Sequence, residues 1–304
     1  MSPVPPKIPF AKPWLSYSDL VSLLRGRGLV VADAPVAEQF LSHLSYYRFS
    51  GYCVAFEVKR HEFVPGTTFE QIVAAYQFDL TLRDLLTEAL EVVEVDLRAA
   101  VAHLFGQQHG AFGHTDPATF FRQFKHYEWL SRLRDEAERS SELFITHFKE
   151  TYSEFPDLPV WCMTEVMSFG GLSTMVAGMF KNDQRMIAQR YRLQTSILTS
   201  WMHHLVYVRN LCAHHSRLWD RVWAIKPELP AGKDWQRPAL PGNSRLFATL
   251  LLLRHLMKHI PAAQTFASQW QTRVANHLAN PPSVSNALNH MGLTANWNHN
   301  PVWL

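Results

Sequence analysis

Residues 76–105 read YQFDLTLRDLLTEALEVVEVDLRAAVAHLF and contain neither proline nor glycine. Their apolar side chains recur every three or four positions, at Phe78, Leu82, Leu85, Ala89, Val93 and Leu97. Because an α-helix turns once in about 3.6 residues, this spacing places the six side chains on one face. The stretch is also rich in leucine, alanine and glutamate, which are good helix formers. It therefore predicts a long helix with one side packed in the core.

The rest of the chain favours helices as well. Further helical patterns cover the ranges 35–44, 120–152, 160–179, 195–223 and 244–259, and the third of these is interrupted at Gly170 and Gly171. No alternating pattern is long enough for a convincing strand, although residues 53–58 suit a short extended piece. The composition, 47% hydrophobic and 18% charged, is ordinary for a globular protein. The sequence predicts an all-α fold with an irregular tail after residue 259.

Proline and glycine divide the chain into three parts. Residues 1–14 are punctuated by prolines and predict an extended arm. Residues 15–225 contain most of the helical patterns and predict the main domain. Residues 226–243 are rich in proline and contain two glycines, which is typical of a linker or surface loop. We expect residues 226–304 to form this linker, a C-terminal helix and a tail that pack on the same body.

Charge, cysteine content and hydropathy exclude several classes of protein. There are 29 Lys and Arg residues against 26 Asp and Glu residues, a formal net charge of +3, so binding of a polyanion would need a local patch. Three cysteines are too few for a disulfide framework or a cysteine-rich zinc module. No apolar run approaches the roughly 20 residues that a membrane span needs, and no secretory signal precedes the N-terminal prolines. We expect a cytoplasmic protein that does not associate with membranes.

The predicted helix over residues 195–223 has two different faces. One stripe at helical spacing is polar or amphipathic and consists of His203, Tyr207, Asn210, His214, Arg217 and Arg221. The opposite stripe is apolar except for one histidine and consists of Leu205, Val208, Cys212, His215, Trp219 and Val222. This pattern predicts His215 to be a hydrogen-bonded core histidine. The polar stripe has only Asp220 as a nearby acid, so its cations suit a phosphate.

Arg209 and His214 combine two kinds of chemistry in one short segment. They are five positions apart, which corresponds to about 140° of rotation and ~7.5 Å of rise, so only the long arginine side chain could bring both to one site. A guanidinium binds phosphate oxygens in a fixed geometry, and an imidazole exchanges protons near pH 7. These are the two requirements of RNA cleavage without a metal ion.

The likeness to a known family rests on six blocks of sequence. They are YYRFSGY at 46–52, YQFD followed by LR at 76–83, the segment 91–98, LPVW at 158–161, SFGGLS at 168–173 and VRNLCAHHSRLW at 208–219. In this order they resemble the bacterial Abi-like (AbiD/AbiF) abortive-infection family. The resemblance covers roughly residues 12–221 and continues weakly at 291–293 and at Trp297. An Arg-x4-His motif alone is a weak signal, whereas six ordered blocks are a specific one.

The resemblance implies a HEPN-type helical bundle with additional N-terminal and C-terminal helical elements. In such ribonucleases, two motifs from two protomers meet in one composite site, and cleavage needs no metal or other cofactor. Carried onto this chain, Arg209 would hold the scissile phosphate, Asn210 would orient it and His214 would be the general acid and base. The implied protein is a homodimeric endoribonuclease of an antiphage, toxin–antitoxin-like system. Its partners would be substrate RNA and a cognate small RNA, not DNA.

Five further residues are candidate RNA contacts: Arg48, Arg98, Tyr207, Arg217 and Arg221. Each has an ordinary alternative. Aromatic blocks such as the one around Arg48 more often belong to a core, and Arg98 forms a helix-supporting i, i+4 pair with Glu94. Asp220 could simply pair with a neighbouring arginine.

Two other functions compete with RNA cleavage. The first is a non-catalytic protein that holds a small RNA, in which the arginines bind phosphates and His214 has no chemical role. The second is a helical adaptor that binds only protein, which leaves the polar stripe unexplained. A zinc site formed by His203, His204, Cys212, His214 and His215 is a minority interpretation, because no three of these ligands occupy adjacent positions of one helix face.

Overall fold

The protein is described from a computed structural model, which covers Pro9 and residues 11–304. This part of the chain contains a short antiparallel hairpin, formed by β1 (Glu57–Lys59) and β2 (Glu62–Phe63), and thirteen α-helices. The helices are α1 (Tyr17–Gly26), α2 (Ala34–Leu44), α3 (Tyr46–Cys53), α4 (Phe69–His109), α5 (His126–Arg139), α6 (Leu143–Thr151), α7 (Val160–Val166), α8 (Phe169–Gly178), α9 (Lys181–Arg190), α10 (Thr195–Ala213), α11 (Leu246–Lys258), α12 (Gln264–Leu278) and α13 (Ala287–His290). The predicted all-α fold is confirmed.

The longest helix, α4, contains the whole stretch 76–105 and extends beyond it at both ends to a length of 41 residues. It begins after a capping box, in which the Thr68 hydroxyl accepts the N–H of Gln71 and the Gln71 side chain accepts the N–H of Thr68. It ends before Gly110, whose φ of +76° is accessible at little cost only to glycine. All six residues of the predicted apolar face are buried.

Contacts along the chain define two compact units. The first comprises Met1–Phe78 and Pro282–Ser285, and the second comprises Asp79–Pro281 and Asn286–Leu304. The core of the first unit is aromatic, with Phe49 stacked on Phe69 at a centroid distance of 4.8 Å. Phe49 and Tyr52 of the 46–52 block are buried, whereas Tyr47 is 89% exposed. The prediction that this block belongs to the core is therefore correct for Phe49 and Tyr52 but not for Tyr47.

The second unit is built around α10 and α11. Helix α10 packs against α8 and α9, and every residue from Leu246 to Leu253 of α11 is buried. Among the described residues, no helix combines the length and the apolar composition needed to cross a bilayer. The longest apolar run of the sequence, residues 246–253, therefore lies in a core helix.

Apart from the end of α10, the structure differs from the predicted helices in three places. The range 120–152 forms two helices, α5 and α6, because the chain is extended at Ser140. The range 160–179 breaks at Met167 and Ser168, where the Ser168 hydroxyl caps α8, so the two glycines lie in the first turn of a helix. The tail after residue 259 contains α12. Its buried residues Ala267, Trp270, Val274 and Leu278 recur at helical spacing, a signal that the polar residues between them obscure.

Two histidines of the second unit, the buried His204 and the half-buried His255, have lowered pKa values. His204 lies with Nδ1 2.7 Å from the carbonyl of Ile225 and Nε2 2.9 Å from the hydroxyl of Thr249. Because a carbonyl only accepts, Nδ1 carries the proton and Nε2 accepts. Burial lowers the pKa of His204 to about 4, and burial also lowers the pKa of His255, which contacts the carbonyl of Tyr191, to about 4.

We expect the protein to lose stability steeply on mild acidification. A histidine in the unfolded chain has a pKa of about 6.5. Between this pH and the lower pKa of the folded state, the unfolded state therefore binds more protons than the folded state does. The stabilisation is complete above pH 6.5 and is lost as the pH falls towards 4, by at most about 1.4 kcal/mol per pH unit for each histidine. Urea unfolding at several pH values measures this slope. His204→Gln should reduce the slope, and the exposed His203→Gln should not; equal slopes would contradict the assignment.

Candidate functional site

Helix α10 ends at the predicted motif. Asn210 lies in its last turn and Arg209 directly precedes that turn. His214 is the first residue after the helix, and its N–H donates to the carbonyl of Asn210 over 3.0 Å. His215 adopts a left-handed conformation with φ of 52°, which no α-helix continues through. The prediction that this helix extends to about residue 223 is therefore wrong. Its polar stripe stops at Asn210.

A buried carboxylate explains why the helix stops. Asp79 of α4 is fully buried, and its Oδ1 accepts the N–H of Trp219 at 2.6 Å and of Leu218 at 3.0 Å. In a continued helix, these amides would donate to carbonyls of the preceding turn. Asp79 also forms an ion pair with Arg83, whose side chain is 6% exposed. The Asp79 carboxylate is charged and therefore accepts stronger hydrogen bonds than a neutral carbonyl would. These bonds set the path of the loop after His214.

The three predicted catalytic residues are accessible. Asn210 and His214 are exposed, and the Arg209 side chain is 38% exposed. His215 is exposed as well, so its prediction as a core histidine is wrong; the helix that would have turned it inward ends before it. Cys212, on the inner side of α10, is buried, and burial raises the pKa of its thiol to about 11. This thiol is therefore unreactive at neutral pH.

The guanidinium of Arg209 is oriented by two neighbours. Its Nη1 donates to the side-chain oxygen of Asn210 over 3.2 Å, and its Nε lies 3.8 Å from a carboxylate oxygen of Glu94 on α4. Within the described part of the chain, Nη2 donates no hydrogen bond. The group is thus held at a partly exposed position with donor capacity remaining for an anion. Sequence reasoning placed Glu94 beside Arg98 and did not foresee its contact with Arg209.

A family comparison covers both α4 and the end of α10. The model of the Abi-like protein family matches residues 39–220, more than half of the chain. The chain belongs to the Abi-like family. The matched region of this Abi-like protein includes Asp79, Glu94 and the complete motif, and it ends at Asp220. Comparison with curated proteins and with solved structures finds no match.

In this Abi-like protein, Arg98 is engaged internally. Its guanidinium donates to the carbonyls of Thr164 and, over 2.7 Å, of Met167, at the C-terminal end of α7. It also pairs with Glu94 as predicted, and its side chain is 11% exposed. Positive charge at a helix C-terminus is stabilising, because the last carbonyls have no partner within the helix. A role of Arg98 in RNA binding remains a prediction.

Three other predicted contacts have partners within the second unit. The Tyr207 hydroxyl accepts the N–H of Ala224 at 3.4 Å, and its ring meets Trp223 edge-on. Arg217 lies 3.6 Å from the carboxylate of Asp220, and the Nε of Arg221 donates to the carbonyl of Arg217 over 2.5 Å. The expected pairing of Asp220 with a neighbouring arginine is thus observed.

Asp220 has two further neighbours, an arginine and a histidine. Its Oδ1 lies 3.1 Å from Arg245 and 2.8 Å from Nδ1 of His290. One carboxylate therefore faces two arginines, Arg217 and Arg245, whose positive charges outnumber its own negative charge. Arg48, the fifth predicted contact, lies on α3 in the first unit.

The described residues contain no group of three or more His, Cys, Asp or Glu side chains arranged to hold a metal ion. Both nitrogens of His204, which a zinc site would need, are already hydrogen-bonded. Cleavage without a metal remains a prediction.

Proposed function

We infer from membership in the Abi-like family that the chain acts in abortive infection, a form of antiviral defence. We propose that the chain carries out this role as a metal-independent endoribonuclease with a HEPN-type site. The observation that supports the proposal most is the exposed grouping of Arg209, Asn210 and His214 at the end of α10. A guanidinium, an amide and an imidazole together can bind a phosphodiester and transfer a proton at neutral pH.

In the proposed reaction, the 2′-hydroxyl of a ribose attacks the adjacent phosphorus. The imidazole of His214 takes the proton of this hydroxyl as the new P–O2′ bond forms. Arg209 stabilises the charge that develops on the non-bridging oxygens, and Asn210 holds its guanidinium in place. The P–O5′ bond then breaks, and the leaving 5′-oxygen takes up a proton. The products are a 2′,3′-cyclic phosphate end and a 5′-hydroxyl end, which only RNA can give.

The reaction needs two proton transfers on opposite sides of the phosphorus, whereas one chain contributes one motif. We therefore propose a homodimer in which a second copy of the chain supplies the second imidazole. Substrate RNA and a cognate small RNA are the proposed partners. The competing hypothesis is a protein that holds RNA through its arginines without cutting it.

Incubation of the purified chain with total bacterial RNA in excess EDTA tests the proposal. We expect new RNA ends, and sequencing after selective ligation should show that they are 2′,3′-cyclic phosphates. The reaction without protein controls for spontaneous hydrolysis, and Mg²⁺ in place of EDTA should not raise the rate substantially. Tight, salt-dependent RNA binding without new ends would refute the nuclease and favour the competing hypothesis.

A further inference from the structure

A groove with a volume of about 570 Å³ opens beside α5, in the second unit. Its walls are the turn 121–125, one face of α5 and the N-terminal turn of α8. The side chains that matter for binding are Phe121, Gln123, Phe124, Trp129, Arg132 and Ser168. None of them belongs to the site proposed above.

The aromatic wall is held in place by the backbone. Phe121 donates its N–H to the carbonyl of Gly178 over 3.1 Å, and the ring of Phe124 packs directly on Gly178. A Cβ atom at Gly178 would lie 2.5 Å from that ring, so only glycine permits this approach. Both phenylalanines remain half-buried, so part of each ring is open. Rigid, partly exposed rings are what bases stack on in single-stranded nucleic-acid sites.

The polar wall contains one cation without a partner. Arg132 is exposed and forms no ion pair or hydrogen bond with any described residue, although Glu128 and Glu136, which also line the groove, lie one turn away on either side. Both acids are engaged elsewhere. Glu128 pairs with Lys125 at 3.3 Å, and Glu136 accepts the N–H of Ser168 at 3.0 Å. Arg132 is therefore available to an anion.

The α8 wall of the groove is packed against the helix of the proposed site. A Cβ atom at Gly170 would lie 3.8 Å from Val206 of α10, one turn before Arg209. The residue preceding Ser168, Met167, accepts from Arg98, and Arg98 shares Glu94 with Arg209. The groove and Arg209 are thus parts of one continuous set of contacts.

We propose that this groove binds a nucleotide of single-stranded RNA that flanks the scissile phosphate. Its base packs against Phe121 and Phe124, and its phosphate pairs with Arg132. The proposal rests on the ribonuclease function above and assigns the substrate class to unpaired RNA. A base paired in a duplex is stacked on its neighbours and cannot turn into a groove of this kind.

Two variants with a matched control test the groove. Arg132→Gln removes the free cation, and Phe121→Leu removes an aromatic face but keeps an apolar side chain. Arg139→Gln is the control, because Arg139 is an exposed arginine of the same helix outside the groove. The probe is a short single-stranded RNA, 2′-O-methylated throughout so that it cannot be cut, with 4-thiouridine at single positions. Fluorescence anisotropy gives Kd at several salt concentrations, and photocross-linking locates the bound base.

We expect Phe121→Leu to weaken binding about tenfold, the effect of losing one stacked base. Arg132→Gln should weaken binding and lower the salt dependence of log Kd by about one charge, whereas Arg139→Gln should behave as wild type. Cross-links should map to residues 121–129. If wild type cleaves RNA through His214 but all three variants bind equally, the groove proposal is wrong and the nuclease stands. If wild type neither binds the probe nor cuts RNA, both proposals fail.

Discussion

Replacing Asp79 with alanine is expected to lower the free energy of unfolding by about 3–5 kcal/mol, the cost of removing one partner of a buried ion pair. The change removes the carboxylate that pairs with the enclosed guanidinium of Arg83. It also removes the acceptor of two buried amides, those of Leu218 and Trp219. Each unsatisfied buried donor adds to the loss. Urea unfolding followed by circular dichroism measures the difference.

Asp84→Ala is the matched control, because Asp84 is an exposed acid of the same helix. It should cost less than about 1 kcal/mol, as surface substitutions do. The double variant Asp79→Leu/Arg83→Met should recover part of the loss, since replacing both members of a buried pair avoids an unpaired charge. If Asp79→Ala is no less stable than Asp84→Ala, the carboxylate does not hold the loop after His214.

The second large effect concerns catalysis. His214→Ala is expected to lower the rate of RNA cleavage by about 10²–10⁴-fold, the usual contribution of a general acid or base. The side chain is exposed, and among the residues that the structure describes it forms no hydrogen bond; His214 donates only its backbone N–H, to Asn210. The variant should therefore fold with unchanged stability and bind RNA with nearly unchanged affinity. Initial rates on an RNA cut by the wild type measure the effect.

His215→Ala provides a control of the same residue type, one position along the chain and also exposed. It should cut RNA within a few-fold of wild type, because the proposed proton transfer does not involve it. An equal loss of cleavage rate in both variants would indicate that the conformation of the loop matters for cleavage rather than the imidazole of His214. Full activity of His214→Ala would exclude this residue as the acid or base and require another proton donor.

Local sequence was sufficient for the helices whose signal lies within a few turns. Helix α4 has good helix formers, a capping box at Thr68 and a glycine beyond its end, and all of these act between near neighbours. Helix α2 was predicted to within one residue for the same reason. Helix α12 was missed although its apolar spacing is present, because polar residues dominate its composition. The error was to give the polar composition more weight than the apolar spacing.

The end of α10 is a different case. Residues 214–223 continue the amphipathic pattern of the helix, so no local signal stops it. The stop comes from Asp79, which lies 139 positions from Leu218 along the chain. A contact between such distant residues cannot be read from periodicity. The predictions for His215 and for the stripe beyond Asn210 failed for this reason.

The sequence by itself determined the all-α class, the long central helix and membership in the Abi-like family, because composition, helical spacing and ordered motifs are properties of the chain alone. It also identified Arg209, Asn210 and His214 as candidates. Tertiary structure decided the rest. Contacts with Glu94 and Asp79 hold Arg209 partly exposed and end the helix before His214, since a buried carboxylate must satisfy its charge with whichever amides and cations folding brings to it.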